Sequence, residues 1–116
     1  MLKILSYLAK RDGMTPAEFT GYYENHHVPL ILSLAPPPVV YKRHYVQRAD
    51  ALNIGEADVD FDVVTEQAFA DREAFQSWID AVTAGDAGER VAADEARFLD
   101  RDRTRSCVVS EYVTTG

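Results

Sequence analysis

The chain has 116 residues, 47% of them hydrophobic and 27% charged, which fits one soluble globular domain spanning residues 1–116 and excludes a disordered or fibrous chain. Nineteen acidic side chains against twelve basic ones give a net charge of -7. That charge repels phosphate backbones and anionic lipid, so neither nucleic acid nor a membrane surface is an expected partner. The one cysteine, Cys107, cannot close an internal disulfide or build a structural zinc site, and the reducing cytoplasm is the expected compartment.

The first segment, Met1 to Ala9, is too short and too interrupted for a membrane span. It runs straight into the turn signal Arg11-Asp12-Gly13, so it reads as a first strand rather than a signal peptide. Thr15-Pro16-Ala17-Glu18 then carries a helix start. Thr15 caps free amides, Pro16 suits the first helical position, and Glu18 returns the capping-box bond.

From that start Phe19, Tyr22, Tyr23, His26, His27 and Leu30 share one broad helical face, so both histidines are expected to point inward. Pro29 has no amide hydrogen and its ring opposes the carbonyl of Asn25, so the helix must kink or restart around His26 to Val28. Pro36-Pro37-Pro38 ends helical structure and forces extended chain.

A second strand follows from Val39 to Arg48. Val40, Lys42, His44 and Val46 lie on one side; Tyr41, Arg43, Tyr45 and Gln47 lie on the other. Neither side is plainly apolar, which points to a face that lines a pocket or a subunit contact. Ala49 to Asp60, acidic and containing Gly55, reads as an exposed loop long enough to act as a lid. Phe61 to Phe69 alternates as a third strand with Asp62 and Glu66 on one face.

Asp71 caps a helix whose stripe is Phe75, Trp78, Ile79 and Val82, and Gly85 ends it. Asp86 and Glu89 repeat the cap spacing ahead of Val91, Ala92, Glu95, Phe98 and Leu99. After a charged connector, Ser106 to Thr114 closes the chain as a strand. The order is the split βαββαβ of a ferredoxin-like α+β domain with a four-stranded antiparallel sheet. Helices should cover one face. The other face, carrying Val, Tyr and Phe, should pair with a second copy, so a homodimer is expected.

Nucleotide-binding, zinc-protease, redox and serine-hydrolase motifs are absent from the sequence. What remains is His, Tyr and carboxylate chemistry. His26 and His27, adjacent on a helix, could share a metal only if the helix breaks there, and no metal is expected. His27 beside the Pro29 break suits proton transfer, while a histidine satisfied by a backbone carbonyl is the equal structural alternative. Tyr41, Tyr45 and His44 could present hydroxyl and imidazole donors to a small ring, although dimer packing explains them equally. Asp62 and Glu66 are candidate bases, or surface partners of cations such as Arg43. Cys107, inside a strand, reads as a small apolar residue.

Met14 to Phe19, the run Tyr22-Tyr23-Glu24-Asn25-His26-His27-Val28-Pro29-Leu30, and Asp62 through Phe75 resemble the EthD family of small dimeric α+β barrel proteins. The motif aromatic-aromatic-Glu-x-x-His-x-Pro-Leu places the family histidine at His27. Val63 and Ala68 depart from the glycine and tryptophan common at their positions. The resemblance implies a dimeric barrel with a pocket between helices and sheet. It also implies chemistry like that of similar proteins, a methylmuconolactone isomerase and decarboxylases or cyclases of aromatic polyketides, which run through enols without a cofactor.

The leading expectation is therefore a cofactor-independent enzyme on a small cyclic or aromatic, lactone- or polyketide-like substrate. It would work by isomerisation, cyclisation or decarboxylation. The catalytic candidates are His27, Tyr45 and Asp62, and the substrate-binding candidates are Tyr23, His26, Tyr41, His44 and Glu66. A non-catalytic dimeric accessory protein sheltering a small molecule is the alternative, and haem-linked oxidation through His27 or His44 is a third.

Overall fold

The computed structural model describes all 116 residues. Strand β1 (Leu2–Leu8) leads into helix α1 (Pro16–Tyr22), a single π-helical turn at Tyr23–His27 and helix α2 (Val28–Leu34). Strands β2 (Val40–Tyr45) and β3 (Val63–Phe69) follow, then helices α3 (Arg72–Thr83) and α4 (Gly85–Glu95), a short 3-10 turn at Arg101–Arg103, and strand β4 (Arg105–Val109). The strands form one sheet in the order β2-β3-β1-β4, with every neighbouring pair antiparallel. This is the ferredoxin-like α+β arrangement that the element order predicts.

Local chemistry explains most boundaries. The capping box at α1 forms in full, with the Glu18 amide donating to Thr15 Oγ1 at 3.1 Å and the Thr15 amide donating to Glu18 Oε1 at 2.9 Å. Asp71 caps α3 by accepting from the Ala74 amide at 2.8 Å. The next start differs from the sequence reading: α4 begins at Gly85, in the left-handed region at φ 50°, with no side-chain cap. Asp86 sits inside its first turn, where its charge favours the positive end of the helix.

The outer strands are shorter than their composition suggests, because pairing partners run out. β4 stops at Val109 because that residue pairs with Lys3, next to the start of β1. β2 stops at Tyr45. One further bond, from the Val46 amide to the Asp62 carbonyl at 2.9 Å, closes the ladder. Arg48 then donates to the carbonyls of Val59 and Phe61 at 3.0 and 2.7 Å, tying together the ends of the 49–60 loop.

Strand alternation divides the sheet. Leu8, Val63, Thr65, Gln67, Tyr41, Arg43 and Tyr45 share the face under the helices, as the paired registers require. There the main core gathers Leu8, Phe19, Tyr23, Val28, Val63, Phe98 and Leu99, with Tyr41 and Tyr45 against it. A smaller cluster of Ile31, Ala35 and Val82 takes the flank of Trp78. Lys3, Leu5, Tyr7, Val64, Glu66, Lys42 and His44 lie on the opposite face. Cys107, paired with Leu5 on that open face, is exposed rather than buried.

The turn between α3 and α4 depends on one close approach. A Cβ at Gly88 would stand 2.3 Å from the carbonyl oxygen of Thr83, a backbone atom that cannot swing aside. Gly88→Ala is therefore expected to destabilise the fold by about 1–3 kcal/mol in urea denaturation. Gly21→Ala, in α1 with open space around its Cβ, should instead stabilise by about 0.5–1 kcal/mol.

Candidate functional site

The site starts from Pro29. An α-helix continued through that residue would set the proline ring against the Asn25 carbonyl. The chain widens by one residue instead, and the Val28 amide donates to the carbonyl of Tyr23. A π turn shifts the side-chain angles around it. Here it leaves Tyr23 and His27 both buried, at 2% and 8% exposure, with their rings edge to face at 5.2 Å.

His26 turns outward, exposed, and stacks on the Tyr22 ring at 4.8 Å. The expectation that both histidines point inward is thus corrected. The kink separates them.

His27 is held from behind by Asp94 of α4, whose Oδ2 accepts from the imidazole Nδ1–H at 2.8 Å. The other carboxylate oxygen, Oδ1, accepts from the Tyr22 hydroxyl at 2.6 Å. A carboxylate only accepts, so this pair assigns the proton of the neutral imidazole to Nδ1 and leaves the Nε2 lone pair bare. Nε2 meets no protein partner, yet the one buried side-chain polar atom sealed off without a partner is Trp78 Nε1. His27 Nε2 is consequently open to the cavity its ring lines. The Phe98 ring supports the imidazole at 5.0 Å.

That cavity, about 160 Å3, lies between the helices and the covered face of the sheet. Tyr23, Tyr41, Trp78 and His27 supply its aromatic walls, and Thr65, Gln67, Ser6, Ser106 and Glu95 supply its polar groups. The Tyr23 and Thr65 hydroxyls share a hydrogen bond at 2.6 Å, and those of Ser6 and Ser106 share one at 2.8 Å. Burial pushes the Tyr23 and Tyr41 phenols up from their ordinary values. Both stay protonated as donors.

Glu95 is a carboxyl without a hydrogen-bond partner, and burial raises its proton affinity, with His27 and Arg101 pulling it back and Asp94 pushing it further up. The stripe of α4 and the residues after it, Val91, Ala92, Glu95, Phe98 and Leu99, contained this acid in plain view. Asp94 and Glu95 were missed as site residues because acids in a helix are usually solvated. An acid set inside an apolar stripe was the available signal.

Other residues singled out from the sequence sit elsewhere. Tyr45 donates to Glu24 Oε2 at 2.6 Å, and Glu24 also receives the Arg43 guanidinium on both oxygens, at 2.9 and 2.6 Å. Arg43 holds the Glu24 carboxyl below its usual range, while burial and then Glu24 raise the Tyr45 phenol. This network lashes the π turn to β2. Tyr45 does not line the His27 cavity.

Asp62, just ahead of β3, accepts from the Lys10 amide at 2.7 Å and from Arg48 at 3.0 Å. It too lies outside the cavity. His44 and Glu66 occupy the open face of the sheet, where Glu66 meets His44 at 3.2 Å and Lys3 at 2.7 Å. The strand alternation that joins them removes them from the face of His27. No residue of the 49–60 loop, read from the sequence as a lid, lines the cavity. No three of the chain's His, Cys, Asp and Glu side chains converge as metal ligands, and no helix is long and apolar enough to cross a membrane.

Comparison with known proteins agrees with this fold. Residues 11–102 match the family model described as EthD domain. No curated protein matches the chain. Among solved structures, an EthD (ethyl tert-butyl ether d) family protein from Bacillus halodurans is 20% identical with a TM-score of 0.63, covering 97% of this chain and 100% of that one. HapK from Hahella chejuensis is 16% identical with a TM-score of 0.61, covering 100% and 96%. A dabb family protein with a ferredoxin-like fold from Mesorhizobium loti is 12% identical with a TM-score of 0.61, covering 99% and 97%. At these identities the likeness establishes the fold.

The raised carboxyl of Glu95 fixes a pH dependence. A carboxyl that binds its proton more tightly folded than unfolded favours the fold while protonated, and that contribution fades as pH rises through the folded value. Glu95→Gln, neutral throughout, should therefore melt above the parent protein near neutral pH, by roughly 1–4 °C. The gap should close as pH falls below the ordinary carboxylate range. Differential scanning calorimetry across pH measures it, and a gap independent of pH would count against the buried-carboxyl assignment.

Proposed function

The chain belongs to the EthD family, and on that premise we propose that it is a cofactor-independent enzyme that moves a proton on a small cyclic or aromatic substrate. The observation that carries this reading is the His27–Asp94 pair, at 2.8 Å, with imidazole Nε2 bare toward the cavity. An Asp-anchored imidazole presents one lone pair in a fixed direction, and the carboxylate stabilises the imidazolium formed when that lone pair takes a proton.

The surrounding groups suit enol chemistry. Abstraction of a proton beside a carbonyl puts charge on the carbonyl oxygen, and neutral donors aimed at that oxygen lower the barrier. Tyr41, kept protonated by burial, is a donor of this kind. His27 takes the proton from carbon, the enol oxygen is stabilised by a donor, and return of the proton to a different carbon completes an isomerisation. Tyr23 and Thr65, tied to each other at 2.6 Å, form the floor. Tyr45 and Asp62 have no part in this chemistry; they hold the scaffold.

The proposal extends to a homodimer. The face carrying Leu5, Tyr7, Val64 and His44 is covered by no helix of this chain, and a second sheet packed on it would bury the apolar residues there. Sedimentation equilibrium should give twice the 13.0 kDa chain mass; the single-chain mass at micromolar concentration would reject the dimer.

The test of chemistry is solvent deuterium exchange into a cyclic enone and an unsaturated lactone, followed by NMR. The parent protein should accelerate exchange at the carbon beside the carbonyl. His27→Ala should lose about 10²–10⁴-fold of that acceleration, with retained melting behaviour showing that it folds. Asp94→Asn should lose about tenfold, equivalent to ~1.4 kcal/mol of barrier. Exchange indifferent to His27 would overturn the proposal in favour of a non-catalytic binding protein.

A further inference from the structure

From the polar groups and size of the His27 cavity we infer the class of molecule it takes: a neutral, single-ring compound bearing a hydroxyl or carbonyl oxygen, with anionic carboxylates and fused two-ring systems disfavoured. The inference rests on the reading of this cavity as the substrate site, and it adds the ligand's size and charge. Size comes first. The volume is about 160 Å3, and an engineered protein cavity of ~150 Å3 holds benzene. Aromatic walls from Tyr23, Tyr41 and Trp78 offer ring faces and edges to a flat ligand.

Polarity comes second. Buried polar side chains are almost always hydrogen-bonded to protein or to ordered water, and a ligand can take the place of that water. Around this cavity three have no partner in the protein, His27 Nε2, the Gln67 amide and the half-buried Glu95 carboxyl, while Trp78 Nε1 is unpaired but sealed from the cavity. A hydroxyl both gives and receives, so it can answer the bare Nε2 with its hydrogen and a donor with its oxygen. A carbonyl answers the donors alone. Apolar rings would leave all three open groups unsatisfied.

Charge comes third. The cavity lining contains no lysine or arginine. Its imidazole, His27, is already paired with Asp94, and its one acid, Glu95, faces His27, Asp94 and Arg101. Arg101 lies on the outer side of Glu95, lining a surface groove with it rather than the cavity. A carboxylate entering here would lose its water and find two protein carboxyls and no free cation.

Trp78 is the one tryptophan of the chain, so its fluorescence reports on this wall directly. Phenol, benzoate and 2-naphthol are titrated at about pH 7.5, where phenol is neutral and benzoate is an anion. NMR of the His27 ring locates the binding. Phenol should quench Trp78 emission saturably with a dissociation constant in the millimolar range or tighter, and should shift the His27 ring resonances. Benzoate should bind at least about tenfold more weakly, with the deficit smaller in Glu95→Gln, which keeps the shape and removes the charge. 2-Naphthol should bind no better than phenol.

Benzoate binding as tightly as phenol, 2-naphthol binding about tenfold more tightly, or phenol leaving the His27 resonances unmoved would each overturn the assignment. Ser6→Leu, which fills the cavity, should abolish the phenol response; the His27 shifts in the parent protein decide the matter if that variant does not fold. The two proposals fail separately. His27-dependent exchange with no preference for phenol over benzoate would sink the ligand class alone. Phenol bound as described, with exchange indifferent to His27, would sink the catalytic reading alone.

Discussion

A proline with no amide hydrogen sets the geometry on which this site depends. Pro29 forbids a regular helix through Asn25, and the chain answers with one π turn rather than a break, so α1 and α2 remain a nearly continuous rod with a single extra residue. That extra residue puts Tyr23 and His27 on the buried side together and sends His26 out to solvent. An ordinary break would have left free carbonyls for the imidazole to satisfy. With the carbonyl of Tyr23 taken by the Val28 amide, the imidazole is left for side-chain chemistry, and Asp94 claims Nδ1.

The π turn would be costly if it floated, and two polar attachments fix it from opposite sides. On one, Glu24 receives Arg43 on both oxygens and Tyr45 on one of them, docking the turn to β2. On the other, Asp94 receives Tyr22 and His27, docking it to α4. Both acids are part-buried and each is matched by two donors, the condition under which charge inside a protein is tolerated. The consequence is functional. The orientation of His27 depends on α4 and on β2 together, so its Nε2 direction is a property of the whole fold.

Much of this was legible in the sequence. The capping box at Thr15 and Glu18, the Asp71 cap, the break at Pro29 and the two-sided character of β2 are local signals, readable because they depend on residues within four positions of each other. The strand order followed from element order, and the covered face from the helices. Site membership was only partly legible. Tyr23, His27 and Tyr41 lie at the cavity, but His44, Glu66, Asp62 and Tyr45 were grouped with them by chemistry alone. Two of these, His44 and Glu66, sit on the wrong side of a sheet whose alternation was already in hand. What was missing was the rule joining strands to helices: β3 buries the parity of Val63, Thr65 and Gln67, which sends Asp62 and Glu66 away. Asp94 pairs with His27 across 67 residues of chain, a separation no local pattern reports.

The division of the sheet into two faces is what lets one small chain carry both a site and an interface-like surface. On the helix side, polar side chains are few and mostly paired, and those left unpaired converge on one cavity. On the open side, Lys3 bridges Glu66 and Glu111, and His44 reaches Glu66, so charges there are already spent on one another. Open hydrogen-bonding capacity on the covered face thus gathers at His27, Glu95 and Gln67, beside the sealed Trp78 Nε1. A protein selected only for stability would have closed these groups onto partners or replaced them with apolar ones. Their convergence around a cavity of ring size, at the one turn where the helix departs from regular geometry, is the physical reason to look for the protein's chemistry there.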